Sequence, residues 1–137
     1  MAERQAYGLD DLLGILGHLR DPNKGCPWDL QQDFHSLLPY VLEEAYEVAE
    51  AIDQEDMVAL RDELGDLLFQ IAFQAHLGQE SGHFDFPQVV DAICAKMIRR
   101  HPHVFGELEL GDAAAVSAHW ERLKASERAR KSAEVPP

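Results

Sequence analysis

The chain has 137 residues, of which 46% are hydrophobic, and a formal net charge of −13 at pH 7. This length predicts one domain that buries roughly two thirds of its unfolded surface. The negative charge argues against nucleic-acid binding, because a phosphate backbone would be repelled. The sequence has no long uncharged apolar run and no signal-peptide pattern, and its two cysteines form no CxxC motif. We therefore expect a cytoplasmic protein with reduced thiols and no membrane contact.

The spacing of apolar residues predicts an all-α fold, a bundle of about five helices. In chain order, the helices are expected at about residues 9–19, 37–52, 57–79, 85–100 and 111–130. Pro102 is expected to end the fourth helix, because proline cannot continue it. No segment shows the sustained alternation of polar and apolar residues that predicts a strand.

Several residues predict the loop after the first helix and the starts of later helices. The Cys-Pro-Trp-Asp segment at 26–29 follows strong turn chemistry and is predicted to be an irregular loop. Ser36 is the predicted N-cap of the second helix, which places Pro39 in the first turn, where proline is tolerated. Asp85 and Gln88 have the spacing of a capping box, which predicts the start of the fourth helix.

The second and third predicted helices carry the same pattern of acidic and apolar residues, nineteen positions apart. Each helix has one apolar stripe, formed by Val41, Ala45, Val48, Ala49 and Ile52 and then by Leu60, Leu64, Leu67, Leu68 and Ile71. At about 100° per residue, Glu44 and Glu47 lie along one edge of the first stripe. Glu63 and Asp66 lie along the equivalent edge of the second. If the stripes pack together, four carboxylates meet at one edge of the seam.

Four carboxylates held close together repel one another unless a positive charge lies among them. A hard divalent cation is therefore the predicted occupant of this cluster. The ordinary alternative is a solvated helix flank, which acids beside an apolar stripe usually form. The neighbouring acids Glu43 and Glu50 point away from the stripe, which indicates solvent-facing positions or groups that support the site indirectly.

The third helix is apolar on more than one side. Phe69 and Phe73 lie opposite its stripe, one turn apart. A helix that is apolar nearly all round is buried nearly all round, so a second copy of the chain is expected to cover this side. The sequence thus predicts a bundle completed by homo-oligomerisation, as a homodimer or a higher homo-oligomer. The alternative is that the first or last helix of the same chain covers Phe69 and Phe73.

Two acidic segments carry a resemblance to a known superfamily. Segments 43–47 (EEAYE) and 63–66 (ELGD) resemble the EExxE…ExxD signature of the all-α nucleoside triphosphate pyrophosphohydrolases. The flanking sequence is similar to the MazG branch, and the likeness is carried by RDP at 20–22, GCPWD at 25–29, PY at 39–40, RRHPHVF at 99–105, WE at 120–121 and ER at 127–128. It covers nearly the whole chain and matches the N-terminal module of MazG proteins, which often carry two modules in tandem. It implies a domain at residues 1–130 and a tail at 131–137.

The resemblance implies a hydrolase that cleaves nucleoside triphosphates, including deoxy or non-standard forms, to the monophosphate and pyrophosphate. Its cofactor would be Mg²⁺, with Mn²⁺ as a substitute ion. Mg²⁺ suits such a site because it prefers oxygen ligands and bridges substrate phosphates. The metal-binding acids of the family correspond to Glu44, Glu47, Glu63 and Asp66, which would also serve catalysis. Glu43, the first acid of the motif, is an accessory catalytic candidate that would orient a water or a ligand.

Basic residues near the end of the fourth helix are candidates for substrate binding. Lys96, Arg99 and Arg100 form an i, i+3, i+4 group in a chain that is short of positive charge. The resemblance favours Lys96 and Arg100 as phosphate contacts and leaves Arg99 open. The alternative is a favourable placement of cations at a helix C-terminus. Trp28 could stack on a nucleobase or pack in the core.

Two other functions compete with the hydrolase, and one further metal site is considered. A non-catalytic nucleotide-binding or regulatory module needs nearly the same residues and is the main alternative. A di-iron carboxylate protein would need two Glu-x-x-His pairs, and the sequence has one formal match, Glu80 with His83, at a helix end. A zinc site at His101 and His103 would also need a second acid or thiol pair nearby in the sequence, which we do not find.

Overall fold

The computed structural model describes residues 5–134, and the side chains up to residue 132. This part of the chain contains seven α-helices: α1 (Leu9–Leu19), α2 (Pro27–Leu30), α3 (Phe34–Asp53), α4 (Met57–Glu80), α5 (Phe86–Arg100), α6 (Pro102–Phe105) and α7 (Ala113–Glu134). It contains no β-strand, so the predicted all-α class is confirmed. Among the described residues, no helix has the length and apolarity needed to cross a membrane.

The helix count exceeds the prediction because of two short helices that begin at prolines. Segment 26–29, predicted to be an irregular loop, contributes most of α2, with Pro27 at its first position. Pro102 ends α5 but also opens α6. Proline is favoured at the first helical position, because the N–H it lacks would have no partner there. The loop prediction was therefore wrong, and Trp28 lies on a helix.

The start of α3 also differs from the prediction. Asp33, not Ser36, is the N-cap: the backbone N–H of Ser36 donates to Asp33 Oδ1 at 2.7 Å, and the backbone N–H of Asp33 donates to Ser36 Oγ at 2.7 Å. This reciprocal pair satisfies two N–H groups that the helix itself leaves unpaired. Pro39 consequently lies inside the helix and not in its first turn.

The start of α5 matches the predicted capping box. The backbone N–H of Gln88 donates to Asp85 Oδ1 at 2.9 Å, and the backbone N–H of Asp85 donates to Gln88 Oε1 at 3.0 Å. Just before it, Gly82 has a φ of 76°, a left-handed conformation that L-residues with a Cβ rarely adopt. The chain can therefore reverse direction after Ser81, the C-cap of α4.

The chain divides into two compact units, one up to Val89 and one from Val90. In the first unit, α4 packs against both α1 and α3. The core consists of Leu16, Leu37, Ala72, Phe73 and Leu77, with Leu12, Leu13 and Phe69 packed against it. The side of α4 that bears Phe69 and Phe73 is thus covered by α1 of the same chain. The inference of an oligomer from these two residues was wrong, and the intrachain alternative holds.

The rotation of α3 and α4 about their axes also differs from the prediction. Leu37 and Ala51 are buried on α3, whereas Ile52 of the predicted stripe is 55% exposed. On α4, Leu64 and Ile71 of the predicted stripe are likewise exposed. Because α4 contacts two helices, its rotation follows the large core residue Phe73 and not the regular stripe.

A charged network ties α2 to the rest of the first unit. The guanidinium of Arg20 pairs with Glu80 at the end of α4 and donates to the backbone carbonyls of Asp29 at 2.7 Å and Gln32 at 3.2 Å. The same group lies 5.8 Å from the centroid of the Phe73 ring. Arg20 therefore supplies hydrogen bonds to carbonyls at the end of a helix too short to satisfy them itself.

The second unit contains most of α5 together with α6 and α7. Asp112 caps α7, because its Oδ1 accepts from the backbone N–H of Ala115 at 2.8 Å. The helix continues to Glu134, beyond the predicted end near residue 130, and 135–137 of the predicted tail lie outside the described residues. The ring of His101 lies edge-on to that of Trp120, with centroids 5.4 Å apart.

Candidate active site

Four carboxylates converge where α3 and α4 pack together. Each of Glu44, Glu47, Glu63 and Asp66 offers an oxygen, and these oxygens all lie within 4.8 Å of one another. The i, i+3 spacing on each helix places both acids of a pair toward the neighbouring helix. Three of the side chains are half-buried and Asp66 is exposed. The structure therefore brings together the four acids that the repeated pattern singled out.

The crowding of these acids changes their proton affinity. The pKa of Glu63 is raised from 4.5 to about 7, mainly by its hydrogen bond with Glu47, then by burial and by the charges of the neighbouring acids. The pKa of Glu44 is also raised, mainly by burial and then by the charge of Glu47. Both shifts mean that a second or third negative charge is unfavourable here unless a cation is added.

Two oxygens in the cluster have no partner. Glu44 Oε2 and Glu63 Oε2 are buried, and neither has a hydrogen-bond partner among the described residues. A buried carboxylate oxygen without a partner costs free energy, and a coordinated cation would remove that cost. The donors are all oxygens, which suits Mg²⁺ or Mn²⁺ better than softer metals. The residues present thus fit a hard divalent cation, whereas a simple solvated flank would leave these two oxygens in contact with water.

The remaining acid of the motif, Glu43, and its neighbour Glu50 are not part of the cluster. Glu43 is exposed, and it adds a small repulsion to Glu44. Beside the cluster, an open groove of about 330 Å³ runs between α3 and α4, lined by Glu47, Glu50, Ala51, Gln54, Ala59 and Glu63. Glu50 therefore faces this groove, which offers space next to the carboxylates.

Gln70 is a polar residue of the seam that the sequence analysis missed. It lies one turn beyond Asp66 and about two turns beyond Glu63, on the same side of α4. It is only 9% exposed, and its Oε1 has no partner among the described residues. A buried amide oxygen needs a hydrogen bond, so Gln70 is ready to contact a water or a ligand in the seam. Its spacing from Glu63 and Asp66 was the available signal.

The three predicted basic residues lie together in the second unit. Lys96, Arg99 and Arg100 line a cavity of about 280 Å³, together with three residues of α7, namely Glu127, Arg130 and Lys131. Glu127 pairs with both Arg99 and Arg100. The sequence analysis missed the α7 residues, because their proximity to α5 depends on packing between segments about 30 positions apart.

Trp28 is half-exposed on α2 and is not a core residue. Its ring packs edge-on against Tyr40 with the centroids 5.5 Å apart, and 46% of the residue is exposed. A tryptophan held on one side with an open face could accept a stacked ring. The predicted role in base stacking stays a prediction.

The other candidate sites gain no support. Among the described residues, the four carboxylates are the one group of three or more His, Cys, Asp or Glu side chains placed to hold a metal. His101 directs Nδ1 to the Met97 carbonyl at 2.6 Å. Glu80, the acid of the formal di-iron motif, is paired with Arg20 and His76.

Comparison with known families decides which family the chain belongs to. A family model, the MazG nucleotide pyrophosphohydrolase domain, matches residues 32–105, more than half of the chain. The chain belongs to this MazG family. The matched segment contains the four carboxylates together with Lys96, Arg99 and Arg100, whereas Trp28 and Glu127 lie outside it.

Individual relatives agree with this assignment. The chain is 52% identical over 124 residues to a nucleoside triphosphate pyrophosphohydrolase of Escherichia coli (strain K12), covering 90% of this chain and 47% of that protein. It is 42% identical over 124 residues to the nucleoside triphosphate pyrophosphohydrolase/pyrophosphatase MazG of Thermotoga maritima, covering 90% and 46%. The crystal structure of a MazG-related protein from Thermotoga maritima matches with a TM-score of 0.68 and 27% identity, covering 85% of this chain and 99% of that one. The chain spans about half the length of the curated relatives it matches.

Proposed function

We propose that this MazG-family chain hydrolyses nucleoside triphosphates, including deoxy or non-standard forms, to the monophosphate and pyrophosphate. The observation that carries the proposal is the convergence of four carboxylates with two buried oxygens that lack partners. The names of the Escherichia coli and Thermotoga maritima relatives support the same reaction.

In this proposal, Glu44, Glu47, Glu63 and Asp66 hold Mg²⁺, or Mn²⁺ in its place. When bound, the cation would supply positive charge to the substrate phosphates and lower the pKa of a water. The protein's part is to keep the four oxygens within 4.8 Å of one another before the substrate arrives. Glu43, exposed beside this group, would orient a water or a substrate group.

The proposal assigns phosphate binding to Lys96, Arg99 and Arg100. Guanidinium groups bind phosphate through two parallel hydrogen bonds, and an ammonium group adds a point charge. Their common cavity supports this role, because its lining includes five cations and one acid. Trp28 would stack on the base.

We also propose a cytoplasmic homo-oligomer, built from a domain at residues 1–130. The surface that supports assembly is not the one that bears Phe69 and Phe73. Leu38, Leu42 and Tyr46 follow one another along α3 at one-turn spacing and are at least half exposed. Apolar rows of this kind on a protein surface mark interaction sites.

Pyrophosphate release from a panel of nucleoside triphosphates, with Mg²⁺ and with a chelator, tests the proposed function. We expect release that depends on the metal and disappears in Glu47→Gln. Tight nucleotide binding without release above the metal-free background would favour the nucleotide-binding regulatory module instead.

A further inference from the structure

Glu127 connects the two arginines of the basic cavity. Its Oε1 accepts from Arg99 Nε at 3.2 Å and Arg99 Nη2 at 3.0 Å, and also from Arg100 Nε at 3.4 Å. Its Oε2 accepts from Arg100 Nη2. The side chains of Arg100 and Glu127 are each 14% exposed, so this contact lies largely away from solvent. One carboxylate on α7 thus holds two consecutive guanidinium groups on α5.

The contact leaves one edge of each guanidinium available. An arginine side chain has five N–H donors, and Glu127 uses Nε and one donor of Nη2 in each arginine. The Nη1 atoms of Arg99 and Arg100 have no partner among the described residues. Each arginine therefore keeps the Nη1 and Nη2 edge, which is the edge that binds two oxygens of a phosphate.

The charge of the cavity remains strongly positive with Glu127 in place. Lys96, Arg99, Arg100, Arg130 and Lys131 supply five positive charges and Glu127 one negative charge, a formal balance of +4 in a chain of −13. Without Glu127, two adjacent guanidinium groups would repel each other and their long side chains would lose a fixed position. The carboxylate thus orders the arginines without cancelling the attraction for phosphate.

We propose that Glu127 is a positioning residue, which fixes Arg99 and Arg100 so that their open edges form a clamp for the phosphate tail of the substrate. This inference rests on the proposed function, which assigns phosphate binding to these arginines. The opposite possibility is that Glu127 competes with phosphate for the guanidinium groups. The two possibilities predict opposite changes in phosphate affinity. Loss of the carboxylate weakens phosphate binding if Glu127 positions the arginines, and strengthens it if Glu127 competes with phosphate.

Glu127 also stays ionised over the working pH range. The two arginines lower its pKa from 4.5 to about 2, mainly through the hydrogen bonds from Arg100 and then Arg99. The contact of Glu127 with the two arginines is therefore kept near neutral pH, and it does not act as a pH switch.

The test measures inorganic tripolyphosphate binding by calorimetry and nucleoside triphosphate hydrolysis by steady-state kinetics. Glu127→Gln keeps the shape of the side chain but loses the charge, and we expect roughly tenfold weaker tripolyphosphate binding. Glu127→Asp keeps the charge and should recover part of that loss. Glu121→Gln is the matched control: Glu121 lies on the same helix and pairs with Lys124 at 3.6 Å, away from the arginines. It should bind tripolyphosphate like the wild type.

A second pair of variants distinguishes positioning from a general structural role. If Glu127 acts through the two arginines, then Glu127→Gln introduced into a variant that carries both Arg99→Ala and Arg100→Ala should add little further loss of tripolyphosphate affinity. Fully additive losses, an unchanged affinity in Glu127→Gln, or tighter binding would each overturn the inference. An Arg100→Ala variant that binds like the wild type would overturn it too. Wild-type protein with an intact clamp but no pyrophosphate release would instead overturn the proposed hydrolysis and leave the clamp standing.

Discussion

Glu63 and Asp66 lie one helical turn apart but differ in solvent exposure. Both belong to the same i, i+3 pair on α4, yet Glu63 is half-buried and Asp66 is exposed. The pKa of Glu63 rises to about 7, mainly because it shares a hydrogen bond with Glu47. The hydrogen bond with Glu47 and the charges around Glu63 therefore decide how this carboxyl responds to pH.

The pKa of Glu63 leads to a prediction about the metal-free protein. The native state keeps the Glu63 proton up to about pH 7, whereas the unfolded chain releases it near 4.5. This contribution to stability is fully present below pH 4.5 and is lost as the pH rises through 7. Thermal unfolding in a chelator, measured from about pH 5 to about pH 8, should show that decline. Glu63→Gln should reduce the decline in stability with pH. An equal decline in that variant would contradict the raised pKa of Glu63.

Substitution of the cluster acids leads to a second prediction. Glu47→Gln or Asp66→Asn should weaken Mg²⁺ binding and abolish turnover, because each removes one oxygen ligand and one charge. The fold should survive, and stability in a chelator should rise, since like-charge repulsion falls. Calorimetry with Mg²⁺ and thermal unfolding check both parts. Asp62→Asn is the control, because Asp62 is exposed and pairs with Arg61; hydrolysis at the wild-type rate in both cluster variants would exclude the four-carboxylate site.

At the scale of a helix, the start of α3 is decided by a reciprocal pair of hydrogen bonds and not by the single N-cap residue that the sequence pattern predicted. Both Asp33 and Ser36 are good N-cap residues, and the two cooperate in one reciprocal pair. The pair extends α3 upstream of the predicted start at residue 37. The additional turn, residues 34–36, leads directly into Leu37, one of the buried core residues. Capping therefore also contributes to the packing of the first unit.

The cap of α3 leads to a third prediction. Asp33→Ala should destabilise the protein by about 1 kcal/mol, since the N–H of Ser36 loses its acceptor. Asp33→Asn keeps an acceptor oxygen and should cost less. Urea unfolding of both variants gives the comparison. An Asp33→Ala variant as stable as the wild type would contradict the role of Asp33 as the N-cap.

At the scale of the whole molecule, the exposed apolar surface of α3 and α4 is the feature that bears on assembly. Because α4 turns Phe73 toward α1, the regular stripes of both helices stay outside the core. Leu64 and Ile71 of the α4 stripe are exposed, and so are Leu42 and Tyr46 of the apolar row on α3, all between 42% and 75%. A surface of this kind favours coverage by a second copy of the chain.

This surface leads to a fourth prediction, on assembly. Light scattering at micromolar concentration should give a mass of at least a dimer. Leu42→Glu should shift the protein toward the monomer, because it places a charge within the apolar row. Val104→Glu is the control, since Val104 is 63% exposed and lies in the second unit. A monomeric wild-type protein at that concentration would rule out an obligate oligomer.

Helix positions and the pairing of the acids follow from local order along the chain. The bounds of α1, the capping box of Asp85 and Gln88 and the i, i+3 pairs of carboxylates all depend on residues within a few positions of one another. The 3.6-residue helical repeat is the same in every context, so these features are readable without a structure. Both the all-α class and the acids that converge were therefore predictable.

The rotation of the helices and the partners of distant side chains required the tertiary structure. Which face of α4 is buried depends on α1 and α3 together, and periodicity along one helix contains no information on that choice. The pairs of Arg20 with Glu80 and of Glu127 with Arg99 join residues 60 and 28 positions apart. Such contacts form only when packing brings their helices together, which is why the exposed stripe and the pairing of Glu127 with the two arginines appeared only in the folded chain.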